Sequence, residues 1–508
     1  MLAYIGEIMS VRRRFYLNTI VPLIHQIVLM VCGFILPRLI LAYYGSEVNG
    51  LVSSITQFLS IVNFFDLGVT AVLQSALYRP IALNDRRGLS EVVSSADKFF
   101  GNIGKILVGY IIVLCFIYPF ISHSEFSLFY IVTLILAMGI NTFGQYYLGV
   151  VDSILLTADQ KTYFTHAIQA SSVIVNTILC VIFIKAGASI QIVKLTTSAV
   201  YLLRPLLYRI YVKRKYDINR KIEYVGEPIK QKWNGMAQHI AAVVLTGTDT
   251  IVLTIFSTLK NVSIYNIYYL VIAAIRSLFQ SLQNGIAPLL GNLWAKGEEK
   301  KVADFFAIYE WITHATTVLI FGITSSLIVP FVMIYTRGIN DANYNQPLFA
   351  SLLVLAYAIY SLRNPYNIMV QVAGKYRETQ VAYILAAVIN IVTSVAAVFA
   401  LGLIGVAIGT IVSLAFQTCW MGIYVYKNLI PKDHSIIKIY VLDILISGVS
   451  IGCIKMISLE IETIAQWFIA ALVYSFIWGA FSAIIWGIFE RKKLQAGIRI
   501  LFKKQKKA

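Results

Sequence analysis

The chain has 508 residues, of which 58% are hydrophobic and 13% charged, and its mean hydropathy is +0.76. Soluble globular chains are about 45–50% apolar and about 25% charged, so this composition excludes a soluble domain and indicates an integral membrane protein. The formal net charge of +18 does not point to nucleic acid, because the basic residues fall mostly between apolar runs, where they set topology.

Near the N-terminus, Arg12, Arg13 and Arg14 precede a long apolar run with no small-residue cleavage site. That pattern predicts a retained first helix rather than a removed signal peptide. A helix that crosses a bilayer needs about 20 mostly apolar residues. Fourteen stretches qualify within a few residues: 17–42, 50–77, 99–121, 127–150, 163–183, 191–207, 233–256, 265–290, 304–330, 347–370, 379–399, 404–426, 439–455 and 464–489. Pro22, Pro37, Pro119, Pro205, Pro288 and Pro365 lie inside them, as kinks that membrane helices tolerate.

With both termini on the cytoplasmic side, 32 of the 42 Lys and Arg residues fall on inner segments. Only Lys185, Lys260 and Arg337 then fall on outer loops, and that asymmetry predicts an even number of spans. Trp233, Trp294, Trp311 and Trp486 mark inner ends and Trp467 an outer one. The longest outer loop runs from about 331 to 346 and has no room for a catalytic domain. The five cysteines all lie in apolar runs without ligand or disulfide spacing, which assigns them to helix packing.

A shift of 214 residues lays the second span on the eighth, "RPIALNDRRGLSEVV" (79–93) on "LWAKGEEKKVADFFA" (293–307), and Asn176 on Asn390. A shift of 215 sets "LTADQKTYF" (156–164) on "QVAGKYRET" (371–379). The expected organisation is an N-terminal six-helix lobe (1–211), a basic cytoplasmic linker (212–232), a C-terminal six-helix lobe (233–426), and a final helix pair with a basic tail (427–508). Two facing repeats predict an all-α polytopic fold around a central cavity.

The stretch "RSLFQSLQNG" (276–285) puts Arg276, Gln280, Gln283 and Asn284 on one face of the eighth span. An arginine near the bilayer centre is expensive unless it meets water, a counter-charge or a ligand. Two readings follow: Arg276 lines a cavity, or it pairs with an acid and locks helices together. The second span turns Asn63, Asp66, Thr70 and Gln74 to one face at the equivalent place, which favours the cavity. Asp66 and Asp249 are mid-span acids, either relays for a proton or cation or partners of an arginine. Arg204 and Arg363 occupy the inner halves of the sixth and tenth spans as further candidates for the cavity. Arg38, Lys105, Lys194 and Lys455 read as snorkelling side chains, and Asp443 as structural or lipid-related. Seven span cations set against Asp66, Asp249 and Asp443 predict a cavity that attracts an anion such as a pyrophosphate, with the amides suited to sugar hydroxyls. No P-loop, dinucleotide fingerprint or triad spacing is present, and His25, His166, His239 and His314 have no partner at ligand spacing, so no enzyme, cofactor or metal is expected.

The spans, the repeat, "FFDLGVTAVLQSAL" (64–77), "TGTDTIVLTIF" (246–256) and the block 370–413, with Gly374, Asn390, Gly402, Gly405 and Thr410, resemble the Wzx-type oligosaccharide flippase, or polysaccharide transporter, family. Its superfamily also holds multidrug and toxin extrusion proteins and lipid II flippases. The resemblance covers about residues 10–490. It implies a bacterial inner-membrane protein that carries an undecaprenyl-pyrophosphate-linked oligosaccharide from inner to outer leaflet by alternating access. Such proteins serve O-antigen, capsule or similar polymers, often draw on a proton or sodium gradient, and work beside a polysaccharide polymerase. A multidrug or cation antiporter is the competing expectation, disfavoured by the cation excess. A polymerase or ligase would need a large outer catalytic loop, and a scaffold would not explain buried charge on one face.

Overall fold

The computed structural model describes residues 2–62, 69–224, 226, 236–430, 436–456, 459–491 and 493–495; within these, the side chains of 2–15, 71, 236–243, 246, 281–285, 436, 437 and 455 are left aside. All described elements are helical. In chain order they are α1 (Leu2–Ser60), α2 (Val69–Ala82), α3 (Arg86–Ile121), α4 (Leu128–Gly144), α5 (Val150–Ala158), α6 (Thr162–Lys185), α7 (Ile190–Lys215), α8 (Met236–Phe256), α9 (Leu259–Ala295) and α10 (Glu299–Tyr335). There follow α11 (Pro347–Leu362), α12 (Asn364–Val372), α13 (Tyr376–Leu401), α14 (Leu403–Asn428), α15 (Ile436–Met456) and α16 (Ile464–Phe489). A π-helical turn, Gln145–Gly149, joins α4 to α5.

Apart from Ser127 at the start of one stretch and Arg363 within another, each of the fourteen apolar stretches is helical over its described residues. Among the described residues ten helices are long and apolar enough to cross a membrane. The first of them, Tyr16–Ser60, runs the first two stretches together. Gly45 separates them, at φ 84° and ψ 174°, a left-handed backbone that glycine adopts without strain. Lys194, Thr196, Thr197 and Arg204 dilute the apolar run of α7. Large apolar side chains such as Phe120, Phe129, Leu472 and Phe476 are more than half exposed, as lipid-facing helices require. The protein is a multi-pass, all-helical membrane protein.

The chain divides into two compact units. Unit 1 comprises Met1–Val243 and Thr258–Ser263; unit 2 comprises Val244–Ser257 and Ile264–Ala508. Unit 1 is held by α1 against α6 and by α7 against α4 and α6. Its core includes Leu51, Ile55, Leu73, Leu77, Phe100 and Tyr118. The Tyr118 hydroxyl donates to Ser54 Oγ at 2.8 Å, satisfying a buried polar group inside that core. The described residues that follow α7 pack against this unit. Arg220 reaches Asp97 at 2.7 Å and also Asp152, which is fully buried, while Arg209 approaches Asp152 at 3.4 Å. Burial works against the Arg220 charge, but Asp152 and Asp97 outweigh it and raise the guanidinium above its usual value.

Unit 2 has two tight packings. In the hairpin of α13 and α14, a Cβ on Gly405 would overlap the Ala397 carbonyl, and one on Gly409 would sit 2.7 Å from the Ser394 nitrogen. This small-residue spacing lets the two backbones approach closely. The second packing joins α10, α15 and α16 around Trp311, Leu442, Ile446 and the fully buried Trp478.

Candidate functional site

Unit 2 carries a chain of polar groups that begins at Asp249 on α8, buried at 3% exposure. Tyr265 of α9 donates to Asp249 Oδ2 at 2.8 Å, and Thr410 of α14 lies 2.9 Å from both carboxylate oxygens. The amide nitrogen of Asn390 on α13 lies 3.3 Å from Thr410 Oγ1 and 3.4 Å from Ser413 Oγ, beside this cluster. Asp249 is therefore held by neutral donors, and the alternative in which it partners an arginine is not the arrangement found. Asn390 Oδ1 and Ser394 Oγ are buried oxygens of the same region without a hydrogen-bond partner among the described residues. Carboxylate, amide and hydroxyl oxygens together make a hard donor set.

The chain continues along one face of α9. Tyr265 stacks on Tyr269 with ring centroids 5.8 Å apart, and Arg276 Nη1 donates to the Tyr269 hydroxyl. Arg276 Nη2 lies 3.3 Å from the Tyr360 hydroxyl of α11, and the guanidinium sits 4.5 Å from the Tyr360 ring and 5.3 Å from that of Tyr357. Arg363 shares Tyr360, also at 4.5 Å, and bonds Gln417 of α14. Arg363 sits at the junction of α11 and α12 because Pro365 follows in the first turn of α12 and interrupts the hydrogen-bond ladder. Among the described residues no carboxylate pairs with Arg276 or Arg363. Aromatic faces contribute about 0.5–2 kcal/mol per cation without neutralising it, so the site keeps two positive charges.

Unit 1 carries a second polar site. A cavity of about 460 Å³ is lined by Thr56, Asn141, Gln145, Lys194, Thr197 and Tyr201, among others. A neighbouring cavity of about 240 Å³ shares Thr70, Gln145 and Val150 with it and adds Gln169, Arg204 and Tyr208. Arg204 lies 3.8 Å from the Tyr201 ring, and its buried Nε has no hydrogen-bond partner among the described residues. Lys194, expected to snorkel from a helix end, lines the larger cavity.

The other sequence candidates fall as follows. Gln280 is exposed on α9, and Gln74 donates to the Tyr78 hydroxyl at 2.9 Å. Asn63 and Asp66 lie outside the described residues, as do the side chains of Gln283 and Asn284. His25 and His166, partnerless by sequence spacing, meet through their Nδ1 atoms at 2.8 Å. Asp443, expected to be structural or lipid-related, pairs with His314 at 2.5 Å. Two buried acids stand outside the three read from the sequence, Asp152 and Glu310. The tyrosines were also missed, although Tyr265, Tyr269 and Arg276 fall at i, i+4 and i+11, a one-face spacing.

No family model matches the chain, and no curated protein matches its sequence. Solved structures do share its fold. The lipid II flippase MurJ, in an inward closed conformation, superposes with a TM-score of 0.70 at 15% identity, over 93% of this chain and 99% of that one. An inward-facing multidrug resistance MATE transporter of the MOP superfamily gives 0.61 at 14% identity, over 82% and 98%. A Vibrio cholerae MATE transporter gives 0.59 at 13% identity, over 83% and 97%. The fold is thus that of MurJ and the MATE transporters.

Proposed function

We propose that the protein is a flippase that carries an undecaprenyl-pyrophosphate-linked oligosaccharide from the inner to the outer leaflet by alternating access, for cell-surface polysaccharide synthesis. The observation that carries the reading is the pair of guanidiniums, Arg276 and Arg363, held on a shared tyrosine with no carboxylate partner among the described residues. A planar fork left free of counter-charge suits a phosphate or pyrophosphate, and the amides and hydroxyls around Lys194 and Arg204 suit sugar hydroxyls. The likeness to MurJ, a lipid II flippase, supports a lipid-linked substrate. In this reading the protein lies in a bacterial inner membrane with both termini cytoplasmic and delivers its cargo to a polysaccharide polymerase.

Asp249 serves as the ion-coupling residue. Its carboxylate, held by the Tyr265 and Thr410 hydroxyls, is neutralised by a proton or a sodium ion, and Tyr265 links it through Tyr269 to Arg276. The competing antiporter reading draws on the same buried acid, but the uncompensated arginines would repel a cationic drug.

The test is translocation in proteoliposomes of a fluorescent polyprenyl-pyrophosphate oligosaccharide, against a polyprenyl monophosphate and a cationic dye. Movement of the pyrophosphate lipid in preference to both supports the proposal; export of the dye alone overturns it. Asp249→Asn is expected to bind the lipid normally yet lose the response to an imposed proton or sodium gradient, and imposing each gradient separately identifies the ion.

A further inference from the structure

A second group of buried acids lies in unit 2, away from the polar chain that joins Asp249 to Arg363. Glu310, on α10, is 1% exposed. Its carboxylate accepts hydrogen bonds from the Tyr366 hydroxyl of α12 at 2.7 Å and the Tyr426 hydroxyl of α14 at 2.5 Å. One turn further along the same face, His314 is also 1% exposed, and its Nδ1 lies 2.5 Å from Asp443 Oδ2 of α15. Tyr440, one turn before Asp443, sets its ring edge-on against His314 at 5.0 Å, and the shared face of α10 sets Glu310 and His314 side by side. The other titratable neighbour is Cys419 of α14 beside Tyr440, while α16 brings Tyr474 and Trp478 to the adjoining core. Among the described residues no lysine or arginine pairs with Glu310 or Asp443.

Proton counting follows from these contacts. A contact of this length between Nδ1 and Oδ2 holds a proton. If a neutral imidazole supplies it, Asp443 is a carboxylate and Nε2 is a bare acceptor; an imidazolium in the same place is the proton-loaded form of the site. If Asp443 supplies it, the carboxyl itself is the protonated group. Either way two acids and an imidazole share fewer fixed positive charges than they need in a low-dielectric setting, and one more proton relieves the excess. The atoms able to take it are present: His314 Nε2 and Asp443 Oδ1 are buried and without a hydrogen-bond partner among the described residues. Thr317 Oγ1 on α10, Ser450 Oγ on α15 and Ser482 Oγ on α16 are further buried atoms without a hydrogen-bond partner among the described residues. Buried polar groups are seldom left unpaired in this number without a use.

We infer that Glu310, His314 and Asp443 form a proton-binding site buried in the membrane where α10, α14 and α15 meet, separate from Asp249. It takes up and releases a proton within the membrane.

Nitrogen-15 NMR of histidine-labelled full-length protein in lipid tests the site without reference to any transported substrate. The chain has six histidines, and His314→Gln identifies the His314 signal by its loss. The expected result is a change of that signal from neutral imidazole to imidazolium as the pH is lowered. Asp443→Asn and Glu310→Gln are each expected to alter that transition, because each removes a carboxylate from beside the imidazole, and Asp249→Asn to leave it in place. A His314 signal that keeps one protonation state throughout overturns the inference, as does a transition that neither variant moves. Should Asp443→Asn fail to fold, Glu310→Gln and the wild-type titration still decide.

Discussion

Arg276 offers the sharpest prediction, because its surroundings separate a ligand-binding role from a structural one. Its guanidinium is held by the Tyr269 and Tyr360 hydroxyls and by the faces of Tyr357 and Tyr360, with no acid partner among the described residues. Arg276→Ala therefore strands two hydroxyls rather than a buried carboxylate. Hydroxyls left without a partner cost about 1–3 kcal/mol, whereas breaking a buried ion pair costs about 3–5 kcal/mol. The variant should accumulate in the membrane near wild-type amounts. Its loss of a charge-assisted bond to the ligand, about 1.5–3 kcal/mol, is a drop of about ten- to 150-fold in affinity for a polyprenyl-pyrophosphate lipid. Arg276→Lys keeps the charge without the fork and should retain part of that affinity. Arg276→Glu should abolish both binding and export of surface polysaccharide. Tyr360→Phe keeps the ring under both arginines and removes only one hydroxyl, so it should lose about fivefold, roughly one hydrogen bond. Binding and protein abundance are measured together on the same membranes. Normal export by Arg276→Glu refutes the anion-binding role. A collapse in abundance of Arg276→Ala that a second change at Asp249 restores would mean that the arginine exists to neutralise an acid.

Three further outcomes test the scaffold. A Cβ on Gly322 would overlap the Trp478 ring, so Gly322→Ala is expected to destabilise the packing of α10 on α16 by about 1–3 kcal/mol, seen as a lower Tm and partly relieved by Trp478→Phe. Arg220→Ala leaves Asp152, fully buried, with only the longer contact to Arg209, and is expected to cost about 3–5 kcal/mol in thermal unfolding; Arg220→Lys should recover part of it. Cysteines placed at Lys260 or Asn343 should react with an impermeant reagent outside intact cells, and cysteines at Lys215 or Lys300 should not; the reverse pattern would overturn the topology read from the charges.

The helices were open to sequence reasoning because hydropathy over a span is a sum of many small, concordant terms. Their junctions were not, since they depend on single residues such as Gly45 and Arg363. Within the site, Arg276 announced itself because an arginine in an apolar run is costly wherever it faces. The tyrosines that hold it gave no such signal, because a tyrosine is ordinary in a membrane helix and only tertiary contact shows whether its hydroxyl is used. Two acids were missed for a related reason. Glu310 lies close to the inner end of the stretch 304–330 and reads as interfacial, but α10 begins at Glu299, so the acid is about three turns inside the helix. Asp152 falls just past the stretch 127–150, yet the π-helical turn carries the helix on to Ala158 and takes the carboxylate into the grip of Arg209 and Arg220. Pairs separated by more than fifty residues, such as Arg209–Asp152 and His314–Asp443, leave no local pattern at all.

The arrangement of charge along α9 bears on how an ion and an anionic lipid would act on one another. Asp249 and Arg276 are opposite in sign, and two stacked tyrosines connect them, yet each is surrounded by neutral groups instead of by the other. Had they formed an ion pair, both would be satisfied and neither would keep an affinity for a mobile partner. Held apart, each retains a charge that a transported species can neutralise. In the proposed coupling, a cation at Asp249 would compete with the Tyr265 hydroxyl for the carboxylate and free Tyr265 to shift against Tyr269, the residue that fixes one edge of the Arg276 fork. In the proposed flippase the two binding events therefore meet at a tyrosine pair. Replacing Tyr265 with phenylalanine should keep the stack and the arginine in place while removing the hydroxyl through which the carboxylate is sensed. Lipid binding measured with and without the coupling ion should then become independent of that ion, at nearly unchanged affinity. If Tyr265→Phe leaves the ion dependence intact, coupling does not run along α9.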